Sequence, residues 1–157
     1  MPYDGDTFLA GLAVYVVLRN DKGQVFMLRR MNSSWKNGFY SLPAGRVEEG
    51  ETFIDGAIRE AHEEAGVTIK AEDLRLYGVI SRKDEGKSPD WMDLFFEATK
   101  WEGEAHVHEK DKFDHGVWIH PKELNTINLI ENQLDGLSDV DKPGISHRFA
   151  DFTTSKQ

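Results

Sequence analysis

Runs of apolar residues divide this chain into segments that predict strands separated by polar turns. Residues 8–18 are almost continuously apolar, which is typical of a strand buried on both faces. The polar turn at 20–23 and the segment 24–30 then predict the second strand of a hairpin. Shorter strand-like segments follow at residues 39–42, 74–83, 92–101 and 116–120.

A helical pattern occupies residues 52–65. Thr52 is suited to cap the N-terminus, Asp55 stands close to the positive end of the helix dipole, and Gly66 is a typical residue to end the helix. Small and aliphatic residues recur at steps of three and four, which predicts one apolar stripe along the helix. The stripe consists of Ile54, Ala57, Ile58, Ala61 and Ala65.

The C-terminal third predicts a helical turn at Pro121 and a second helix over residues 129–137, before a polar and irregular stretch. Strands and helices mix without a regular strand–helix–strand alternation, so the fold class that we expect is α+β, with a mixed β-sheet. The 157 residues fit one domain. We place this domain at residues 1–137, followed by a tail at 138–157 that we expect to be partly disordered.

The formal net charge of −9 argues against a protein that coats nucleic acid, because an acidic protein repels long polyanions. A small phosphate compound can still bind where divalent cations bridge it to the protein. The absence of cysteine excludes disulfides, thiolate nucleophiles and zinc–thiolate sites. No apolar run approaches the roughly 20 residues that cross a bilayer. The first residues also lack the basic region of a signal peptide, so we expect a cytoplasmic protein with no membrane partner.

Three glutamates of the predicted helix, Glu60, Glu63 and Glu64, stand at positions i, i+3 and i+4. This spacing projects their carboxylates from one helix face, where like charges repel. A solvated acidic face is the simplest alternative for such a cluster. Here a glycine-containing loop precedes the helix, the opposite stripe is apolar and Arg59 adjoins the first glutamate, so we favour a site for hard cations. Ligands that are all oxygen suit Mg²⁺, with Mn²⁺ as the alternative.

Residues 45–67 resemble the Nudix box, the signature of the Nudix hydrolase family. The family pattern is G-x5-E-x7-R-E-U-x-E-E-x-G-U, in which U is a bulky aliphatic residue, and the segment reads GRVEEGETFIDGAIREAHEEAGV. Every fixed position matches, and Ala61, at the first U, is smaller than the usual residue. The wider resemblance covers residues 9–137 and implies an α/β/α sandwich.

The resemblance assigns roles to individual residues in and beside the box. Glutamates of the helix are implied to bind divalent metal ions, together with the carbonyl of Ala44. Arg59 resembles the arginine that orients a metal-binding glutamate, Glu51 resembles a support for the box, and Gly45 is an expected substrate contact. The implied metal ligands in the box are Glu60, Glu63 and Glu64, and the implied catalytic residues are Arg59, Glu63 and Glu64.

Three residues outside the box resemble functional positions of the MutT-type 8-oxo-dGTP pyrophosphatases in this family. Glu109 resembles a loop glutamate that serves as metal ligand or base; otherwise it is a solvent-facing loop residue. Arg30 resembles a phosphate-contacting arginine, or else is a solvated charge at a strand end. Asn128 resembles an asparagine that reads the oxidised purine, although it can equally cap the following helix. The histidines, including His106 and His108, are expected at the surface.

These roles imply hydrolysis of a diphosphate linkage. Magnesium ions held by the glutamates would neutralise the phosphates and lower the pKa of a bound water, and Glu63, Glu64 or Glu109 would accept its proton. The MutT-like arrangement favours a nucleoside triphosphate, oxidised or not, that yields a monophosphate and pyrophosphate. Nucleotide sugars, dinucleotides and a non-catalytic Nudix-fold regulator are the alternatives, and a homodimer stays open.

Overall fold

The structure is a computed structural model that describes residues 5–6, 8–83 and 90–151. Its strands are β1 (Ala10–Leu18), β2 (Val25–Arg30), β3 (Tyr40–Ser41), β4 (Ala44–Arg46), β5 (Arg75–Lys83), β6 (Asp90–Ala98), β7 (Phe113–Ile119) and β8 (Ser146–Asp151). Its α-helices are α1 (Phe53–Ala65) and α2 (Glu131–Ser138), and short 3-10 helices occupy Ala71–Asp73 and Pro121–Thr126. The α+β class predicted from the sequence is confirmed.

The strands form a five-stranded sheet in the order β4-β1-β6-β5-β8 and a three-stranded sheet in the order β3-β2-β7. In the larger sheet β1 runs parallel to β6 and antiparallel to β4, while β5 runs antiparallel to β6 and parallel to β8. The smaller sheet is antiparallel throughout. The larger sheet is therefore mixed, as the sequence predicted.

The core lies on both faces of the larger sheet, because successive side chains of a strand point in opposite directions. From β1, Val14 and Val16 join the apolar cluster that includes the buried alanines of α1. Tyr15 and Val17 join a second cluster, which includes Leu137 of α2. This explains the nearly continuous apolar run of the first strand. The small stripe residues Ala57, Ala61 and Ala65 are fully buried, so α1 approaches the sheet closely.

Two strands were not predicted from side-chain pattern. β4 lies in a segment that carried no strand pattern, and it pairs with β1 through backbone contacts such as Ala13 with Arg46. β8 lies in the expected irregular tail and pairs with β5 at the edge of the sheet. The expected disorder of the tail beyond residue 151, and a polar loop expected over 84–89, fall outside the described residues.

Neither α1, with 13 residues, nor α2, with 8 residues, has the length and apolar character that a membrane-spanning helix needs, and no other helix in the described ranges does. Instead, α1 lies against β1 and β4. This packing places the helix that carries the predicted glutamates beside β4, which begins at Ala44.

Candidate active site

The ends of α1 are fixed by local hydrogen bonds that the sequence predicted. The hydroxyl of Thr52 accepts the N–H of Asp55 at 3.1 Å, and the carboxylate of Asp55 accepts the N–H of Thr52 at 3.1 Å. This reciprocal capping box satisfies two N–H groups that a bare helix terminus leaves unpaired. At the other end Gly66 adopts a φ of 71°, and its N–H donates to the carbonyl of His62 at 3.0 Å. The register of the helix is therefore set at both ends.

The three glutamates of α1 do not share one environment. Glu60 and Glu64 are buried, with 9% and 4% of their surface exposed, whereas 49% of the Glu63 side chain is exposed. Glu64 accepts the backbone N–H of Ala44 at 3.0 Å. The carboxylate of Glu60 lies so close to Gly45 that a Cβ at position 45 would overlap it. The fold thus directs two carboxylates inward, against β4, and leaves the third towards solvent.

Arg59 ties the buried and exposed glutamates to the loop before the helix. Its guanidinium donates to both oxygens of Glu51, at 2.7 and 3.1 Å, and to the carbonyl of Arg46 at 2.9 Å. It also donates to Glu60 at 2.7 Å and to Glu63 at 3.3 Å. These bonds hold the pKa of the Glu51 carboxyl below its usual range. The arrangement brings Arg59, Glu51 and Glu60 into contact, whereas the orienting role of Arg59 and the supporting role of Glu51 stay predictions.

Burial dominates the electrostatics of the two inward carboxylates. It raises the pKa of Glu64 well above the usual value, against the lowering effect of the Ala44 N–H. It also raises the pKa of Glu60, although the hydrogen bond from Arg59 acts in the opposite direction. The negative charge of Glu60 also raises the pKa of Glu64, because like charges repel. A bound cation would relieve both the burial cost and the repulsion.

Glu109 reaches this pair from the loop before β7. Its negative charge contributes to the raised pKa of Glu64, so the two carboxylates lie within electrostatic range. One oxygen, Oε2, is buried without a hydrogen-bond partner, while Oε1 pairs with the ammonium of Lys112 at 3.1 Å. The charge of Lys112 also acts on Glu60 and Glu64. Sequence reasoning missed Lys112, whose position three residues after Glu109 was the available signal.

The donor set fits a hard divalent cation. Glu60, Glu64 and Glu109 offer carboxylate oxygens, and the unpartnered Oε2 of Glu109 has a lone pair available for a metal ion. Within the described ranges, no three such side chains already converge on a common point. The reason is visible in the contacts, since Arg59 engages Glu60 and Lys112 engages Glu109.

The predicted substrate residues Arg30 and Asn128 lie at the smaller sheet. The guanidinium of Arg30 lies over the ring of Trp35 and donates to the hydroxyl of Ser33 at 3.2 Å. Asn128 is exposed, and its carbonyl accepts the N–H of Tyr40 at 2.7 Å. The alternative that Asn128 caps the following helix is wrong, because α2 has its N-cap two residues later and no side-chain cap. The structure places neither residue in contact with Glu60 or Glu64.

A buried polar network connects β1, β5, β6 and α2, and no local signal in the sequence indicated it. Asp93, fully buried, accepts two hydrogen bonds from Arg82, at 2.9 and 3.2 Å, and one from Asn132 at 2.9 Å. Asn132 also donates to the hydroxyl of Tyr15 at 3.1 Å. Burial raises the pKa of Tyr15, and Asp93 adds to that effect. The network joins α2 to the face of the sheet opposite α1.

Comparisons with known proteins agree with this geometry. The family model of the NUDIX domain matches residues 9–139. An RNA pyrophosphohydrolase from Erythrobacter litoralis is 29% identical over 125 residues, which cover 69% of this chain and 75% of that protein. An 8-oxo-dGTP diphosphatase from Escherichia coli is 30% identical over 93 residues, covering 56% and 65%. The crystal structure of a MutT NUDIX hydrolase from Burkholderia pseudomallei has a similar fold, with a TM-score of 0.74 at 22% identity, covering 84% and 98%.

Proposed function

This chain belongs to the Nudix family, and from that premise we propose that it is a divalent-cation-dependent pyrophosphohydrolase of nucleoside triphosphates. The observation that carries the proposal is the inward-facing pair Glu60 and Glu64, joined by the unpartnered Oε2 of Glu109. A fold seldom buries acidic groups together without a compensating charge, because each unpaired charge is costly away from water. A cation bridging to a polyphosphate would supply that charge.

The protein's own residues divide the work between them. Glu60, Glu63 and Glu64 would hold Mg²⁺ or Mn²⁺, with the carbonyl of Ala44 and the carboxylate of Glu109 as further ligands. Bound magnesium supplies charge neutralisation for the phosphates and a more acidic water. Arg59 keeps Glu60 in place through its bonds to Glu51, and Lys112 is placed to meet a phosphate once Glu109 turns away from it.

The reaction breaks the bridge between the α- and β-phosphorus atoms. A water oxygen bonds to phosphorus, the bridging P–O bond breaks, and the products are a nucleoside monophosphate and pyrophosphate. The water proton goes to a carboxylate. Glu63, Glu64 and Glu109 all remain candidates for this base, and the unpartnered oxygen of Glu109 favours that residue.

The substrate class rests on the chemistry that the relatives share. An RNA pyrophosphohydrolase and an 8-oxo-dGTP diphosphatase, by their names, both act on diphosphate linkages of nucleotides. A 5′-triphosphate fits both, whether it belongs to a free nucleotide, oxidised or not, or to an RNA end. The net charge of −9 disfavours a long RNA, so we favour the free nucleotide. Arg30 and Asn128 are proposed to contact its phosphates and base, and Gly45, which lies against Glu60, is a further proposed substrate contact.

A substrate panel tests the proposal. Purified protein would be incubated with dGTP, 8-oxo-dGTP, GTP, a 5′-triphosphate RNA, ADP-ribose and a nucleotide sugar, in Mg²⁺, Mn²⁺ or EDTA. We expect metal-dependent release of pyrophosphate, not orthophosphate, and fastest turnover on a free triphosphate. Faster turnover of ADP-ribose or the nucleotide sugar would assign a different linkage. Nucleotide binding without turnover in any metal would identify a non-catalytic binding module and overturn the proposal.

A further inference from the structure

The C-terminal end of α1 is capped by a segment distant in sequence, residues 104–108, which we name the histidine segment. A helix leaves its last four carbonyls without intrahelical partners. After the His62 carbonyl, which Gly66 satisfies, the next three carbonyls all accept hydrogen bonds from the histidine segment. The donors are His108 Nδ1 to Glu63 at 2.9 Å, the His108 N–H to Glu64 at 3.0 Å, and the His106 N–H to Ala65 at 3.1 Å.

The imidazoles of this segment have defined proton positions. A carbonyl oxygen can only accept, so the Nδ1 atoms that contact carbonyls carry the protons. For His106 the accepting carbonyl is Glu104, at 2.7 Å. The ring of His108 lies between those of His106 and His62, with centroids 5.5 and 5.6 Å away. The segment is held by main chain and side chain together, although both of its histidines are exposed.

Glu109 follows His108 directly, so the anchored histidine fixes where this carboxylate begins. The hydrogen bonds of His108 offset an electrostatic repulsion, because the Glu109 carboxylate approaches the like charge of Glu64. On the other side, the Glu109 carbonyl accepts the N–H groups of Lys112 and Phe113, at 3.1 and 3.2 Å. Glu109 is thus held between the end of α1 and the start of β7. Without the bond to α1, repulsion would favour a loop that swings towards solvent.

We infer that His108 is a positioning residue for the cation site. Its Nδ1–H bond to the Glu63 carbonyl holds the residue before Glu109 against the end of α1, and from there the Glu109 carboxylate lies within electrostatic range of Glu64. The Nδ1 atom of His108 contacts the helix backbone, and in this proposal His108 is not a metal ligand. The inference rests on the proposed function in one respect, namely that Glu109 contributes to a site for a divalent cation.

Substitutions that move the donor atom test this role. In His108→Asn the side-chain amide nitrogen takes the place of Nδ1, whereas in His108→Gln it stands one atom farther from the backbone, nearer the place of Nε2. We expect His108→Ala and His108→Gln to weaken Mn²⁺ binding roughly ten- to a hundred-fold, the usual effect of losing a residue that orients a metal ligand. His108→Asn should restore most of the affinity. His147→Ala, at an exposed histidine of β8, is the matched control and should leave binding unchanged.

Two readouts separate positioning from activity. Electron paramagnetic resonance would follow the concentration of free Mn²⁺ as protein is added, without substrate, and so give the affinity for Mn²⁺. Hydrogen exchange would give the exchange rates of the backbone amides of His106 and His108. We expect faster exchange of both amides in His108→Ala, and slow exchange in His108→Asn. Wild-type affinity for Mn²⁺ in His108→Ala, or equal rescue by Gln and Asn, would overturn the inference. By contrast, failure of the wild-type protein both to bind Mn²⁺ and to hydrolyse any nucleotide would overturn the proposed function itself.

Discussion

At the level of single residues, Glu64 is the clearest case in which a group proposed to serve catalysis should lower the stability of the fold. Its carboxylate is almost entirely removed from water, and the Ala44 N–H at 3.0 Å is a neutral donor. A neutral hydrogen bond offsets only part of the cost of burying a charge. Such a residue is retained where a cation completes the site, so its replacement should affect folding and catalysis in opposite directions.

Glu64→Gln tests this conflict directly. The amide keeps the shape of the side chain but removes the buried charge, so in EDTA we expect the free energy of unfolding to rise by roughly 0.5–2 kcal/mol. In saturating Mg²⁺ we expect kcat to fall roughly 10²-fold or more, because a charge that holds the cation is missing. Urea unfolding and pyrophosphate release would measure the two effects. Glu49→Gln, at an exposed glutamate of the loop before α1, is the control for both. Unchanged kcat in Glu64→Gln would remove this residue from the mechanism.

Single residues also show where sequence reasoning reaches its limit. The spacing of Glu60, Glu63 and Glu64 predicted one acidic face, but the helix is rotated so that Glu63 remains exposed. The rotation depends on how the apolar stripe packs against β1, which spacing alone does not determine. Lys112 was not predicted because its only local signal, the spacing of three residues from Glu109, is common in a charged loop, and the contact depends on the turn between them.

At the level of elements, predictions succeeded where the signals are local. α1 has its cap, stripe and terminal glycine within one continuous segment. The cap and the glycine are present in the structure, and the alanines of the stripe are buried, whereas Ile58 joins neither apolar cluster. β4 and β8 have no comparable signal, since each is a strand because a neighbouring strand pairs with its backbone. Pairing partners more than 60 residues apart, as for β5 and β8, leave little trace in composition.

The junction between α1 and the histidine segment supports a prediction at this scale. Gly66 has a φ of 71°, and a Cβ there would overlap the ring of His106. Gly50 has a similar φ of 83°, but nothing lies within 4 Å of its Cβ position. Gly50→Ala should therefore cost only backbone strain, about 1 kcal/mol. Gly66→Ala should cost roughly 1–3 kcal/mol more, because the side chain also displaces His106.

Urea denaturation of the two alanine variants would give these costs from the same type of substitution. Hydrogen exchange should in addition show faster exchange at His106 and His108 in Gly66→Ala alone. Equal loss of stability in the two variants would mean that the histidine segment moves aside freely, and that it does not cap α1 as the contacts indicate.

At the scale of the whole molecule, buried polar residues decide how the helices attach to the larger sheet. Tyr15, Asp93 and Asn132 form one network although they are separated by dozens of residues in sequence. A sequence pattern predicts which strands are apolar, and it gave the α+β class here. It does not predict which polar residues meet inside, because each is unremarkable in its own segment. The same is true of Asp139, at the end of α2, and Arg148 on β8.

Asp139 joins α2 to the edge strand, and this contact should make stability depend on pH. The buried carboxylate accepts two hydrogen bonds from Arg148, at 2.6 and 2.8 Å, and pairs with Lys142 at 2.6 Å. The bonds from Arg148 hold the pKa of Asp139 well below its usual value of 3.8. A lowered pKa in the folded state means that the stabilising contribution is fully present above the unfolded pKa and is lost progressively as the pH falls from that value through the lower, folded pKa.

Asp139→Asn should accordingly lower the free energy of unfolding by roughly 1–2 kcal/mol at pH 7, since Arg148 and Lys142 remain partly in water. The gap between wild type and variant should narrow once the pH falls below about 4, because Asp139 in the unfolded chain then binds protons while the folded carboxylate, with its lower pKa, stays charged. Urea unfolding at pH 7, 5 and 3.5 measures this gap. Asp141→Asn, which loses an exposed pair with Arg19, should cost under about 1 kcal/mol. A gap for Asp139→Asn that stays constant from pH 7 to 3.5 would show that packing, not charge, holds β8 against the rest of the molecule.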